Sequence, residues 1–246
     1  MPTAAAIENR PSSCQSGFTL VELAIVLIII GLLIGGVLKG QQLVTNAQIT
    51  ATVAQVKSIQ AAVTTFKDMY NALPGDMTNP GVRLPGCAAA PCNVGGDGNG
   101  IVNSTVATGA YAGEGLQFFV HLAAADLITG VNPAGPANQW GTLLPATKIG
   151  GGLWVGWTSA GMGSFDPALT MPSGLVLAIA RNPLTGGWSL TPNQAYRIDA
   201  KLDDGAPTTG SVRADSNPAA GNCFVGVAYS ETNDVQACAV AIEIQR

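Results

Sequence analysis

Phe18-Thr19-Leu20-Val21-Glu22-Leu23-Ala24-Ile25-Val26-Leu27-Ile28-Ile29-Ile30-Gly31-Leu32-Leu33-Ile34-Gly35-Gly36-Val37-Leu38 contains one charged residue, Glu22, and no proline. About 20 predominantly apolar residues suffice for a helix to cross a bilayer. A carboxylate in such a helix is costly and implies a partner or a function. Upstream, residues 1–17 are polar, carry Pro2 and Pro11, and read as disordered. Downstream, Leu38-Lys39-Gly40-Gln41-Gln42 is a poor signal-peptidase site. The apolar run is therefore expected to stay in the mature protein.

The helical pattern continues beyond Lys39 while the composition turns polar. Ile49, Val53, Val56, Ile59, Val63, Phe66 and Tyr70 recur at steps of three and four. Such spacing makes one apolar face of an amphipathic helix. Leu73-Pro74-Gly75 stops it. The expectation is one helix from Phe18 to about Ala72, about 80 Å long at ~1.5 Å per residue. Its first half is expected to project alone, and its second half to pack on a globular domain. Gly31-to-Gly35 and Gly36-to-Gly40 match the GxxxG spacing that lets helices approach closely.

Only 11% of the 246 residues are charged and 47% are hydrophobic; a soluble domain carries roughly 25% charge. Net charge is −4, with 11 Lys and Arg and no basic cluster. Nucleic-acid binding draws much of its affinity from phosphate neutralisation, so it is not expected of this chain. Catalysis is not expected either. His121 is the one histidine, and no nucleophile elbow, metal triad or phosphate loop accompanies it. His121 reads as a surface or packing residue.

Of five cysteines, Cys14 precedes the apolar run and Cys87, Cys92, Cys223 and Cys238 follow it. Four downstream cysteines fit two disulfides in an oxidising compartment. Three pairings are open to sequence alone; Cys87 with Cys92 and Cys223 with Cys238 are nearest neighbours and are the expected pairs. Zinc is the rival reading, weakened by the single histidine and the lack of a CxxC. Gly96-Asp97-Gly98-Asn99-Gly100 resembles the opening of a calcium loop, with oxygens on Asp97 and Asn99 and another on Asn103. The closing bidentate acid is missing, and Thr108 stands in its place. Tight turns explain the same letters, so no cofactor is expected and calcium is retained as the one candidate.

Residues 76–113 read as a long loop with little regular structure. Glu114 to Ile128 reads as a helix burying Leu116, Phe119, Leu122 and Leu127. Gly152–Trp157 and Gly174–Ala180 read as strands. Thr191-Pro192-Asn193-Gln194 starts a short helix, with Thr191 as cap and Pro192 in the first turn. It runs to Leu202. Cys238, Val240, Ile242 and Ile244 alternate as a strand with one buried face. Strands after a long helix indicate an α+β fold, with a small antiparallel sheet against the helix.

Gly17-Phe18-Thr19-Leu20-Val21-Glu22-Leu23 resembles the cleavage and methylation motif of type IV pilins and type II secretion pseudopilins. Tyr70-Asn71-Ala72-Leu73-Pro74-Gly75-Asp76 extends the resemblance to the helix end. The resemblance implies a pilin-like fold, cleavage between Gly17 and Phe18 by a prepilin peptidase, and N-methylation of Phe18. It implies that Glu22 meets the Phe18 amine of a neighbouring subunit. Glu22 also lies about one turn from its own Phe18 amine.

The implied organisation is a leader over 1–17, a membrane and filament-core helix over 18–38, its amphipathic continuation over 39–75 and a head over 76–246. The implied partners are the peptidase, other pilin subunits, an inner-membrane assembly platform and, before assembly, the membrane. The implied location is the bacterial inner membrane, N-terminus cytoplasmic and head periplasmic, and afterwards an extracellular or periplasmic filament. The expected function is a structural filament subunit. The alternative is a minor pilin or secretion pseudopilin whose head binds or primes at the tip. The Cys223–Cys238 segment is similar to the disulfide-bounded C-terminal region of pilins. The leader is long and not clearly basic, and the helix lacks the proline common in the family.

Overall fold

The computed structural model describes residues 17–107, 110–133, 139–158, 171–183, 187–216 and 221–245. Residues 1–16 of the leader, with Cys14, and Thr108 of the calcium reading lie outside the described residues. The chain divides into two compact units, Met1–Val44 and Thr45–Arg246.

Helix α1 spans Leu20–Tyr70, two residues shorter at each end than expected. At its C-terminal end Asn71 takes a left-handed conformation (φ 48°) and returns its N–H to the Lys67 carbonyl. Asparagine tolerates that geometry, which satisfies one carbonyl of the last turn. Within the first unit the apolar side chains of α1 are exposed; Leu20 and Leu32 retain 87% and 72% of their accessible surface. Within the second unit Ile49, Val53, Val56, Ile59, Val63 and Phe66 are buried, and Tyr70 is partly buried. Each such side chain stabilises the fold by roughly 1.5–3 kcal/mol relative to exposure.

The segment after α1 is more regular than its composition suggests. It holds a one-turn helix, α2 (Pro80–Arg83), and a hairpin of β1 (Ser104–Ala107) with β2 (Ala110–Gly113). The hairpin leads into α3 (Glu114–Ala124), which ends short of the expected Ile128 and buries Phe118, Phe119 and Leu122; Leu116 on the helix and Leu127 beyond its end are only partly covered. The expected face was thus rotated, because adjacent Phe118 and Phe119 both enter the core and contact each other edge to face at 5.1 Å.

The main sheet comprises β3 (Gly152–Thr158), β4 (Gly174–Ala180), β5 (Val212–Ser216) and β8 (Cys238–Gln245) in the order β3-β4-β8-β5, all antiparallel. Helix α4 (Pro192–Leu202) joins its middle; a short hairpin of β6 (Phe224–Val225) and β7 (Ala228–Tyr229) precedes β8. The α4 start is a complete capping box: Thr191 Oγ1 accepts from Gln194 N–H, and Gln194 Oε1 accepts from Thr191 N–H. The expected one-sided burial of β8 is corrected. Cys238 to Ile242 are buried on both faces, because β8 is a central strand. Val240 and Ile242 join the main core with α1 residues, while Ala241 packs in a second cluster with Met171 and Val176. Both apolar pairs of faces match the α+β reading.

Candidate functional site

Gly17, Phe18 and Thr19 lie outside any helix, and α1 begins at Leu20. Thr19 and Glu22 make the start. Glu22 Oε2 accepts from the Thr19 N–H and hydroxyl, each at 2.9 Å, and the Glu22 N–H donates to Thr19 Oγ1 at 3.2 Å. This is a capping box of the pattern T-x-x-E. It satisfies two donors that an α-helix leaves open at its N-terminus. The T-x-x-E pattern is contiguous in the sequence, at the polar edge of the apolar run. It turns the one carboxylate of the apolar segment toward the residue that follows Phe18. A Cβ placed on Gly17, Gly31, Gly35, Gly36 or Gly40 meets nothing within 4 Å in the single chain.

In the head, the Asp97–Asn99 pair belongs to a larger knot of acids. Asp76 accepts from the N–H groups of Gly98, Asn99 and Gly100 at 2.7–3.1 Å. Glu114, first residue of α3, accepts from Asp97 N–H at 3.0 Å and Asn103 N–H at 2.6 Å. Asp97 Oδ1 accepts from Asn99 N–H and Oδ2 from the Asn99 side-chain amide, while Asn99 Oδ1 accepts from Ile101 N–H. One oxygen each from Asp76, Asp97 and Glu114 lies within 4.8 Å of the others. Asp76 and Glu114 are far from Asp97 in sequence and escape a local reading. Burial pushes both carboxyls above the ordinary range, against the pull of the N–H groups they bind. The donor set is all oxygen, as a hard cation prefers. The same oxygens, however, already carry the loop's N–H groups, so the knot has a sufficient structural role as it stands.

His121 is buried. Its Nδ1 accepts from Gly75 N–H at 2.9 Å, and its Nε2 donates to the Cys92 carbonyl, 3.1 Å away. Burial holds its pKa below the ordinary value. Cys87 bonds to Cys92 and Cys223 to Cys238, each with Cα atoms 5.0 Å apart. A groove of about 750 Å³ runs beside α1 within the second unit, between Ala51, Ala54 and Ser58 on one side and Leu127, Pro145 and Lys148 on the other.

The model of the prokaryotic N-terminal methylation motif matches residues 12–38. The segment bearing Gly17, Phe18 and Glu22 is therefore prepilin-like, and the chain carries a prepilin-type N-terminus. The same segment opens a helix long and apolar enough to cross a membrane. No curated protein matches the chain. Among solved structures, the major type IV pilin PilA1 from Clostridium difficile is similar at 10% identity over 82% of this chain and 97% of that one, with a TM-score of 0.34. So low a likeness says nothing of this head.

Proposed function

We propose that the protein is a structural subunit of a type IV pilus or pilus-like filament. The observation that carries this reading is the prepilin-type motif at the head of a long helix whose apolar side chains are exposed in the single chain. Those side chains need either lipid or other helices around them. Membrane storage followed by assembly supplies each in turn. In this reading a prepilin peptidase removes residues 1–17 and methylates Phe18. Residues 18–38 serve as membrane and filament-core helix, 39–75 as its amphipathic continuation, and 76–246 as a periplasmic head. The partners are the peptidase, other pilin subunits and an inner-membrane assembly platform. Glu22 pairs with the Phe18 amine of a neighbouring subunit and so sets axial register, because a slip leaves two charges unpaired in a dry core.

Mass spectrometry of the mature protein tests the reading. The expected N-terminus is methylated Phe18, on a protein recovered as an abundant component of sheared filaments. A start beyond residue 38, with the apolar helix gone, overturns it. Recovery in trace amounts assigns the chain instead to the minor pilins or secretion pseudopilins, whose heads act at the tip.

A further inference from the structure

A titratable group is buried where the C-terminal disulfide loop meets α4. Asp199 lies on α4 and has no accessible surface. Its Oδ2 accepts from the Tyr229 hydroxyl at 2.8 Å and its Oδ1 from Gly205 N–H at 3.1 Å. Tyr229 belongs to β7, inside the segment closed by Cys223 and Cys238. Its ring meets that of Tyr196 on α4, centroids 6.0 Å apart. At the tip of the same hairpin Val225 and Val227 are more than two-thirds exposed. The hairpin thus has one side fastened to α4 and an apolar tip presented to solvent.

The surroundings of Asp199 disfavour its charge. One oxygen each from Asp199, Asp203 and Asp204 lies within 4.8 Å of the others. A buried carboxylate near like charges favours its protonated form. The elements packed against α4 bring Arg213 and Asp215 on β5, Tyr229 on β7 and Glu243 on β8. Of these Tyr229 touches the carboxyl directly. Arg213 acts electrostatically on Asp204, and Asp203 and Asp204 are exposed acids held by the loop that follows the helix. No lysine or arginine is among the groups that chiefly shift Asp199.

We propose that Asp199 is a proton-controlled latch: protonated, it fastens the β6–β7 hairpin to α4, and ionised, it lets the hairpin and its valine tip loosen within the limits of the disulfide. Burial first, and then the charges of Asp204 and Asp203, push the Asp199 carboxyl up to about 6 against the Tyr229 and Gly205 hydrogen bonds. In the loosened hairpin the carboxyl meets water and returns toward its ordinary value. The folded value is the higher one, so fastening is strongest below the ordinary carboxylate range and weakens as pH rises through about 6. The C-terminal loop would then present its apolar tip differently in mildly acidic and neutral surroundings.

The test is hydrogen exchange of the peptide covering residues 224–230 in the full chain in detergent micelles, from pH 4.5 to 8 and corrected for intrinsic exchange. The expected result is a loss of protection of at least about tenfold with a midpoint near 6, the equivalent of one pKa unit. Peptides of β4 should show no such step. Asp199→Asn, which keeps an acceptor for Gly205 and a polar group for Tyr229, should remove the step. A flat wild-type profile, or the same step in Asp199→Asn, overturns the latch. Carbon-13 titration of the Asp199 carboxyl in the wild-type chain decides independently of the variant's folding; a midpoint at the ordinary aspartate value also overturns it.

Discussion

The imidazole of His121 joins the end of α1 to the first disulfide loop, accepting from Gly75 N–H at 2.9 Å and donating to the Cys92 carbonyl at 3.1 Å. Nδ1 must remain unprotonated to accept. A Cβ on Gly75 would stand 2.2 Å from the Glu114 carbonyl oxygen, and its φ of +85° suits glycine. The backbone thus comes close to α3, and His121 satisfies what that approach buries.

His121→Ala is expected to destabilise the head by about 2–4 kcal/mol, since it leaves a buried N–H and a buried carbonyl without partners. The wild type should show the matching pH dependence. With the folded pKa lowered by burial, this contribution is complete above the ordinary histidine value and is lost as pH falls through the lowered one. Thermal melts of wild type and variant at pH 7.5 and pH 5 check both; an unchanged melting temperature in His121→Ala refutes the role.

Asp76 organises the 96–100 loop by accepting three backbone N–H groups. Asp76→Ala should cost about 1.5–3 kcal/mol, the usual worth of hydrogen bonds to a charged group, because a buried carboxylate is withdrawn from three backbone N–H groups of an exposed loop. Asp97→Ala should cost about 1 kcal/mol or less, because Asp97 is exposed and bonds chiefly to its neighbour Asn99. Chemical denaturation of the two variants gives the comparison, and equal losses would deny Asp76 its central place.

Glu22 has two proposed tasks, and two substitutions separate them. Glu22→Gln keeps a capping-box acceptor but removes the charge; Glu22→Ala removes both. The capping contribution is about 0.5–2 kcal/mol, while an unpaired charge in a dry core costs several kcal/mol. Both variants should remain in the membrane, since a lost charge eases residence there. Both should enter filaments more than about tenfold less often, the effect of at least 1.4 kcal/mol. Wild-type incorporation of Glu22→Gln, read by immunoblot of sheared filaments, would assign Glu22 to capping alone.

The two disulfides close loops of unequal size, with sequence separations of 5 and 15. On the chain-entropy scale they contribute roughly 2 and 3 kcal/mol. Replacing Cys223 and Cys238 together by serine should lower the melting temperature more than replacing Cys87 and Cys92. The second bridge also ties the start of β8 to the segment carrying β6 and β7. Equal or reversed losses in paired melts would contradict this ordering.

Elements whose signal is local were legible in the chain. The α1 stripe, the strands β3 and β4, and the Thr191-Pro192 start of α4 each repeat or punctuate within a few residues. The hairpins β1–β2 and β6–β7 and the strand β5 were not, because strands of two to five residues are too short to show a period. Phe118, fully buried on α3, is absent from the expected face because Leu116, Phe119, Leu122 and Leu127 satisfy the helical period without it. Packing put it on the buried face. Asp76 and Glu114 illustrate the same limit at the acid knot: nothing in the run around Asp97 points to either.

By itself the sequence determined the prepilin-type N-terminus, since that motif is written in contiguous residues: a glycine, a phenylalanine, a glutamate at fixed spacing and an unbroken apolar run. Only the tertiary structure decided which acids gather at Asp97, that His121 is a buried clamp, and that Asp199 lies beneath Tyr229 in the disulfide loop. Those relationships join residues far apart in the chain. Burial and hydrogen bonding, which set the charge and role of each group, exist only once the intervening segments have packed.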